Sequence, residues 1–159
     1  MSKEEVIERI HKAVEESKKT NKLVLEDIGE IPSDVLKEEI AVKVIARQAA
    51  TLPNLKELHI IGCKVKSAGF RFVAAGLKSN TQLKTVNVSE AGLDDSAARD
   101  LALALKANKA ITTLCISGND FTDNGIKLIS TAVKDNKVLE TLVLDGNTLG
   151  DKGCEYIGE

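Results

Sequence analysis

The side chains best suited to catalysis are few in this chain, which contains two histidines and three cysteines. His11 falls beside the apolar stripe of a predicted helix, and His59 falls on the outward side of a predicted strand. Cys115 has Thr113 and Ser117 as same-face neighbours, and neither is a cation of the kind that activates a nucleophilic thiol. We therefore predict a non-enzymatic protein with no catalytic residue and no cofactor.

Metal and phosphate sites are also not indicated. Four aspartates do not fit the D-x-D-x-D-G spacing of a calcium loop; these are Asp94, Asp95, Asp120 and Asp123. Gly118 and Gly146 each precede an asparagine, but neither begins a G-x-x-x-x-G-K phosphate loop. The three cysteines lack zinc-like spacing, and their odd number is typical of a reduced compartment. The sequence predicts no metal site and a cytoplasmic location.

The chain is organised instead by a repeated apolar pattern. Segments of the form L-x-x-L-x-L begin at a constant step of 28 residues (83 minus 55), at Leu55, Leu83, Ile111 and Leu139. The last two apolar positions of each segment are two residues apart, so in a strand they face the same way. A fixed period of this length predicts a solenoid with one strand in each repeat.

Each predicted strand is followed by a predicted helix. One column of residues is expected to supply the N-caps of these helices, namely Ser67, Asp95, Asp123 and Asp151. Small residues begin the buried series of each helix, where we expect a close approach to the strand layer; they are Gly69, Ala97 and Gly125. A column of asparagines is expected to end the helices in the left-handed conformation, at Asn80, Asn108 and Asn136.

A second asparagine column precedes the helices. Asn119 and Asn147 are expected to bridge backbone groups of adjacent turns, and Cys63 is a small, readily buried replacement at the equivalent position. Ala91 cannot form such bonds, so we expect the turn at Ala91 and Gly92 to be the loosest.

The start of the chain departs from this period. Residues 2 to 19 are predicted to form an amphipathic helix with a capping box at Ser2 and Glu5. Its mixed charges favour packing on the first strand over membrane binding. Leu23 to Leu25 is the predicted first strand; Ile28, Ile31 and Pro32 are expected to form a turn, with Ser33 capping a helix from Val35 to about Ala50.

These patterns resemble a known family. Residues 55 to 159 resemble leucine-rich repeats of the ribonuclease-inhibitor type. The opening helix and the stretch from Ile28 to Lys37 are similar to the repeat domain of tropomodulins and leiomodins. The resemblance implies a right-handed α/β superhelix, with parallel strands on the concave side and helices on the convex side. It also implies binding or regulation of the actin filament at its pointed end.

The predicted organisation is a single leucine-rich repeat domain over residues 1–159. It comprises a capping helix (1–20), an irregular first repeat (21–54), regular repeats (55–82, 83–110 and 111–138) and an incomplete last repeat (139–159). The last helix reaches Ile157 but not a third core position before Glu159, so we expect an open C-terminal edge. Either further chain or a partner chain is expected to cover it, and self-association through this edge is one way.

The outward strand positions form the candidate binding face, because solenoids bind proteins on the concave side. The predicted contact residues are Lys56, Glu57, His59, Ile61, Lys84, Thr85, Asn87, Ser89, Thr113, Cys115, Ser117, Thr141, Val143 and Asp145. A net charge of −2 and the lack of a long apolar run argue against nucleic-acid and membrane partners. We expect a protein-binding scaffold with a protein partner, actin by resemblance; the alternative is a structural solenoid module with no link to actin.

Overall fold

A computed structural model describes residues 1–45 and 52–158. The strands of this part are β1 (Lys22–Glu30), β2 (Glu57–Lys64), β3 (Thr85–Asn87), β4 (Thr113–Cys115) and β5 (Thr141–Val143). The helices are α1 (Lys3–Thr20), α2 (Ser33–Val35), α3 (Lys66–Leu77), α4 (Asp95–Ala107), α5 (Asp123–Asp135) and α6 (Asp151–Gly158), and a π-helix (Leu36–Ile45) directly continues α2. The strands form one parallel sheet in chain order, which confirms the predicted solenoid.

The strand register follows the sequence period. Leu58 lies opposite Val86, Val86 opposite Leu114, and Leu114 opposite Leu142, each pair separated by 28 residues (for example 86 minus 58). The first three of these side chains are fully buried, whereas Leu142 in the outermost strand is only half-buried. Stacking of equivalent apolar residues therefore builds one continuous core along the solenoid.

Helix α1 covers the first strand, as its apolar stripe predicts. Its N-terminus has the predicted capping box, in which the Ser2 hydroxyl accepts from Glu5 N–H and the Glu5 carboxylate accepts from Ser2 N–H. Val6 and Ile10 are buried in the common core, and α1 packs against β1. The helix therefore shields the apolar flank of the first repeat from water.

The first repeat differs from prediction. β1 has nine residues, and Ile28 lies buried within it and not in a turn. One extra residue between Glu26 and Gly29 makes a bulge against β2, which explains how the strand continues past the predicted end. Ser33 is the first helical residue and forms no cap. The following helix is π-helical to Ile45, and its predicted extension to Ala50 lies outside the described residues.

The predicted N-cap column has another role. Asp95 and Asp123 are the first residues of their helices and not the caps. The Asp95 carboxylate accepts from Thr122 N–H at 2.8 Å, and the Asp123 carboxylate accepts from Gly150 N–H at 2.7 Å. Ser67 accepts from Asp94 N–H at 3.1 Å in the same way. Each side chain therefore ties its repeat to the backbone of the next repeat, 27 residues further along.

The small residues at the start of the helices fit against the preceding repeat and not against the strand layer. A Cβ added to Gly69 would lie 2.5 Å from Leu36 Cδ1. A Cβ added to Gly125 would overlap the Asp95 carboxylate and would lie 3.3 Å from Ala98 Cβ. The absence of a side chain at these positions thus permits close helix–helix contact.

The asparagines that follow the helices are not left-handed caps. Asn108 has φ −73° and ψ 131°, and Asn136 has φ −85° and ψ 121°, both extended. Asn108 is 2% exposed; its amide donates to Leu77 O at 2.7 Å and to Asn80 O at 3.0 Å. The equivalent bonds recur at Asn80 and Asn136, so this column is a buried ladder between repeats.

The second asparagine column bridges adjacent turns, as predicted. Asn119 donates to Val88 O at 2.9 Å and accepts from Ala91 N–H at 3.0 Å. Cys63 occupies the position equivalent to Asn119, and its thiol makes weaker hydrogen bonds to backbone carbonyls. Burial raises the pKa of this thiol. The turn at Ala91 is bonded on both sides, because its carbonyl also accepts from Val65 N–H. These bonds argue against the expectation that this turn is loose.

Candidate functional site

The predicted binding residues lie together on the side of the sheet away from the core. We call this surface the strand face; it consists of the outward side chains of β2–β5 and the residues flanking these strands. Four of the predicted residues are exposed, namely Lys56, Lys84, Thr141 and Asp145. Nine are half-buried: Glu57, His59, Ile61, Thr85, Asn87, Thr113, Cys115, Ser117 and Val143. Ser89 is buried, at 7% exposure, so it supports its neighbours and offers little contact area.

Parallel register places these residues in rows across the sheet. His59, Asn87, Cys115 and Val143 are successive register partners. Because the side chains of partner residues in parallel strands point the same way, each row runs along the solenoid and crosses every repeat. The strand face therefore offers a partner a regular grid of small, mostly uncharged side chains.

A chain of hydrogen bonds links the polar side chains of this grid. Ser89 Oγ donates to Asn87 Oδ1 at 2.5 Å and lies 3.1 Å from Cys115 Sγ. Cys115 Sγ lies 3.3 Å from Ser117 Oγ, which donates to Asp145 Oδ1 at 2.6 Å. Sequence patterns did not predict this network, whose bonds join three consecutive repeats. It fixes the orientation of several side chains before any partner arrives.

A charged cluster lies at the other end of the strand face. His59 Nε2 and Glu57 Oε2 are 2.8 Å apart, and Lys22 Nζ lies 3.5 Å from Glu57 Oε1. The hydrogen bond from His59 and the charge of Lys22 together hold the pKa of Glu57 below its ordinary value, against the opposing effect of burial. The cluster joins β1 and β2 through side chains as well as through the backbone.

Two residues of β1 extend the strand face beyond the predicted set. Val24 lies opposite His59, and Glu26 lies opposite Ile61. Val24 is 45% exposed although its neighbours Leu23 and Leu25 are buried. The alternation of Leu23 and Leu25 in the sequence contained this signal, since the residue between two buried strand positions faces outward.

The described residues do not bring reactive groups together into a triad or a metal site. His59 and Cys115 are separated by the intervening strand β3, a spacing of about 10 Å between β2 and β4. The carboxylates of Asp95 and Asp123 are occupied by backbone N–H groups of the next repeat. No group of three or more ligating side chains suited to a metal ion occurs within residues 1–45 and 52–158. Among the helices of that part, none is long and apolar enough to span a membrane.

Comparison with known proteins agrees with this fold. A family model described as leucine-rich repeat matches residues 107–130 and 135–158. No curated protein sequence matches the chain significantly. Among the 48 matching chains of solved structures is one described as leiomodin-1 actin-binding site 2. That match has a TM-score of 0.59 and 20% identity, and covers 94% of this chain and 68% of that one.

The repeated strand–helix units, the asparagine ladders and these matches define the class of the protein. Its fold is that of a leucine-rich repeat solenoid, an architecture whose concave surfaces bind proteins. Within that class it resembles the tropomodulin and leiomodin repeat domain, which confirms the resemblance stated from the sequence.

Proposed function

We propose that this domain is a non-enzymatic scaffold whose strand face binds a protein in the cytoplasm, and that this protein is actin. The observation that carries the proposal is the strand face itself, whose polar side chains are held in place by hydrogen bonds across three repeats. Such fixed groups lose little conformational freedom on binding. The choice of actin rests on the fold shared with the leiomodin-1 actin-binding site.

Actin co-sedimentation and pointed-end elongation assays test this proposal. The informative variant is Asn87→Arg with Thr113→Arg, which places two bulky cations at half-buried positions of the strand face. The matched control is Leu103→Arg with Leu128→Arg, which adds the same charge at helix positions that are 46% and 45% exposed. We expect the strand-face variant to lose binding and the control to retain it.

Two results of these assays would contradict the proposal. If the unmodified domain neither sediments with filaments nor changes pointed-end elongation, actin is not its partner. If both double variants bind equally well, the strand face is not the contact surface. Circular dichroism of each variant separates loss of binding from loss of folding.

A structural solenoid module within a larger assembly is the second candidate. The network from Asn87 to Asp145 satisfies many polar groups internally, as expected for a face that only contacts water. On this alternative, neither double variant changes which proteins co-purify with the domain. Retention of the same partners by the strand-face variant would favour it.

We also propose that the outer edge of β5 takes part in self-association. Leu142 and Leu144 are only half-buried, and Ile157 is 45% exposed. Together with Val133 and Tyr156 they line a small apolar cavity of about 60 Å³. Sedimentation equilibrium tests this proposal: we expect a dimer in the unmodified chain and a monomer in Leu144→Glu. A monomer in both contradicts it.

A further inference from the structure

The edge strand β1 borders an open groove that shares only Val24 and Glu26 with the strand face. This groove has a volume of about 830 Å³ and lies between α1 and β1. Its floor includes Val24, Leu25, Glu26 and Ile28, and its wall is the outward side of α1. A volume in this range is typical of sites that hold a ligand.

The backbone of β1 has hydrogen-bonding groups that face this groove. In a parallel pair, alternate residues direct their N–H and C=O groups to the same neighbour. Lys56 N–H donates to Asn21 O at 2.9 Å, so Asn21 and, by alternation, Leu23 and Leu25 direct their backbone groups to the β2 side. Those of Val24 and Glu26 therefore point away from β2, and no other described strand pairs with that edge.

The backbone groups along this edge of β1 have hydrogen-bond partners at one end of the strand but not further along. The Thr20 hydroxyl accepts from Lys22 N–H at 3.3 Å and donates to Lys22 O at 3.1 Å, so this residue is already satisfied. No such side-chain bond occurs at Val24 or Glu26 within the described residues. Neither position is a proline and the bulge begins only after Glu26, so these two devices do not block strand addition there, although α1 packs against β1 beside the groove.

The side chains around the groove favour a basic partner. Four glutamates line it, Glu5, Glu8, Glu16 and Glu26, against the two cations Arg9 and Lys12. Apart from Glu5, which belongs to the capping box, none of them forms an ion pair or side-chain hydrogen bond with a described residue. Their charges are therefore available to a ligand.

We propose that this groove binds an extended, basic peptide segment, which adds as a further strand to β1 at Val24 and Glu26. Main-chain hydrogen bonds would supply affinity, and the glutamates would select lysine or arginine side chains that point toward α1. The site shares only Val24 and Glu26 with the strand face and uses their backbone groups, so the proposal does not depend on binding to actin.

The test uses a synthetic peptide of alternating lysine and valine, compared with one of alternating glutamate and valine. Amide hydrogen exchange and NMR shifts of the full chain are followed during titration. We expect the basic peptide to slow exchange at Val24 and Glu26, and to bind about tenfold more tightly than the acidic one at low salt.

A charge-reversal variant tests the selectivity without altering the backbone. Glu8→Lys with Glu16→Lys should reverse the preference between the two peptides. Glu38→Lys with Glu155→Lys makes the same charge change at exposed positions outside the groove and should preserve it.

Several outcomes would overturn the proposal. Binding without slower exchange at Val24 and Glu26 would exclude strand addition. Equal affinity for both peptides would exclude selection by charge, and no binding of either would remove the site. Pairing of β1 edges between two copies would show as slow exchange at Val24 and Glu26 without peptide, in a dimer that Leu144→Glu does not dissociate, and would assign the groove to self-association instead.

Discussion

Truncation of the ladder asparagine Asn108 to alanine tests the interpretation of the whole repeat. The side chain is 2% exposed and makes four hydrogen bonds. Its amide donates to two carbonyls of the preceding repeat, and its Oδ1 accepts from Ala110 N–H and Ile111 N–H, each at 2.8 Å. All of these bonds are lost in Asn108→Ala.

The cost follows from the groups left behind. An unsatisfied buried donor costs about 1–3 kcal/mol, and two N–H groups lose their acceptor at once. Partial access of water to the new cavity offsets some of this, so we expect a loss of about 3 kcal/mol in the free energy of unfolding. This is a large share of the roughly 5–15 kcal/mol typical of a domain.

Urea denaturation followed by circular dichroism measures the effect. Lys109→Ala is the matched control, because its exposed ammonium group makes one bond, to Lys106 O, and its loss should cost less than about 0.5 kcal/mol. Asn108→Gly separates the ladder from a left-handed cap. If Asn108 were a left-handed cap, Asn108→Gly would be well tolerated, because glycine readily adopts that conformation. If Asn108 belongs to the ladder, glycine and alanine should lower the free energy of unfolding by the same amount. A well-tolerated glycine, or an alanine variant within about 1 kcal/mol of the parent, would refute the ladder.

Three further predictions follow from local geometry. Glu90 has φ +52°, a left-handed conformation that glycine adopts more easily than other residues. Glu90→Gly should therefore raise the free energy of unfolding by about 0.5–1 kcal/mol, whereas Glu90→Ala should not. An equal gain in both variants would contradict this. Gly125→Ala should cost about 1–3 kcal/mol, because its Cβ would overlap the Asp95 carboxylate, while Gly158→Ala meets nothing and should be neutral or stabilising in thermal melts. Because hydrogen bonding lowers the pKa of Glu57 below 4.5, its stabilising effect is complete above that pH and is lost as the pH falls through the lowered value. Glu57→Gln should therefore weaken the acid dependence of unfolding in that range, and an unchanged acid profile would disprove it.

The repeat itself was predictable because its evidence is present many times in the sequence. The apolar residues at 58, 86, 114 and 142 recur at one interval, and their strands pair in that register. Thirteen of the fourteen proposed contact residues are exposed or half-buried, with buried Ser89 as the exception, so hydrophobic alternation also indicated which strand positions are accessible. Periodicity reports which side of an element faces the core, and that is decided locally.

Sequence patterns predicted the wrong structural role in columns whose residue type can serve two roles. Asparagine after a helix suits a left-handed cap, and aspartate before one suits an N-cap, so local sequence favoured both readings at Asn108 and Asp95. The structure assigns these side chains to bonds with the neighbouring repeat, 27 to 31 residues away. Sequence alone establishes that such positions are polar and periodic. Only the tertiary structure decides which backbone groups they satisfy, because stacking of the repeats removes those groups from water and brings them within hydrogen-bonding distance.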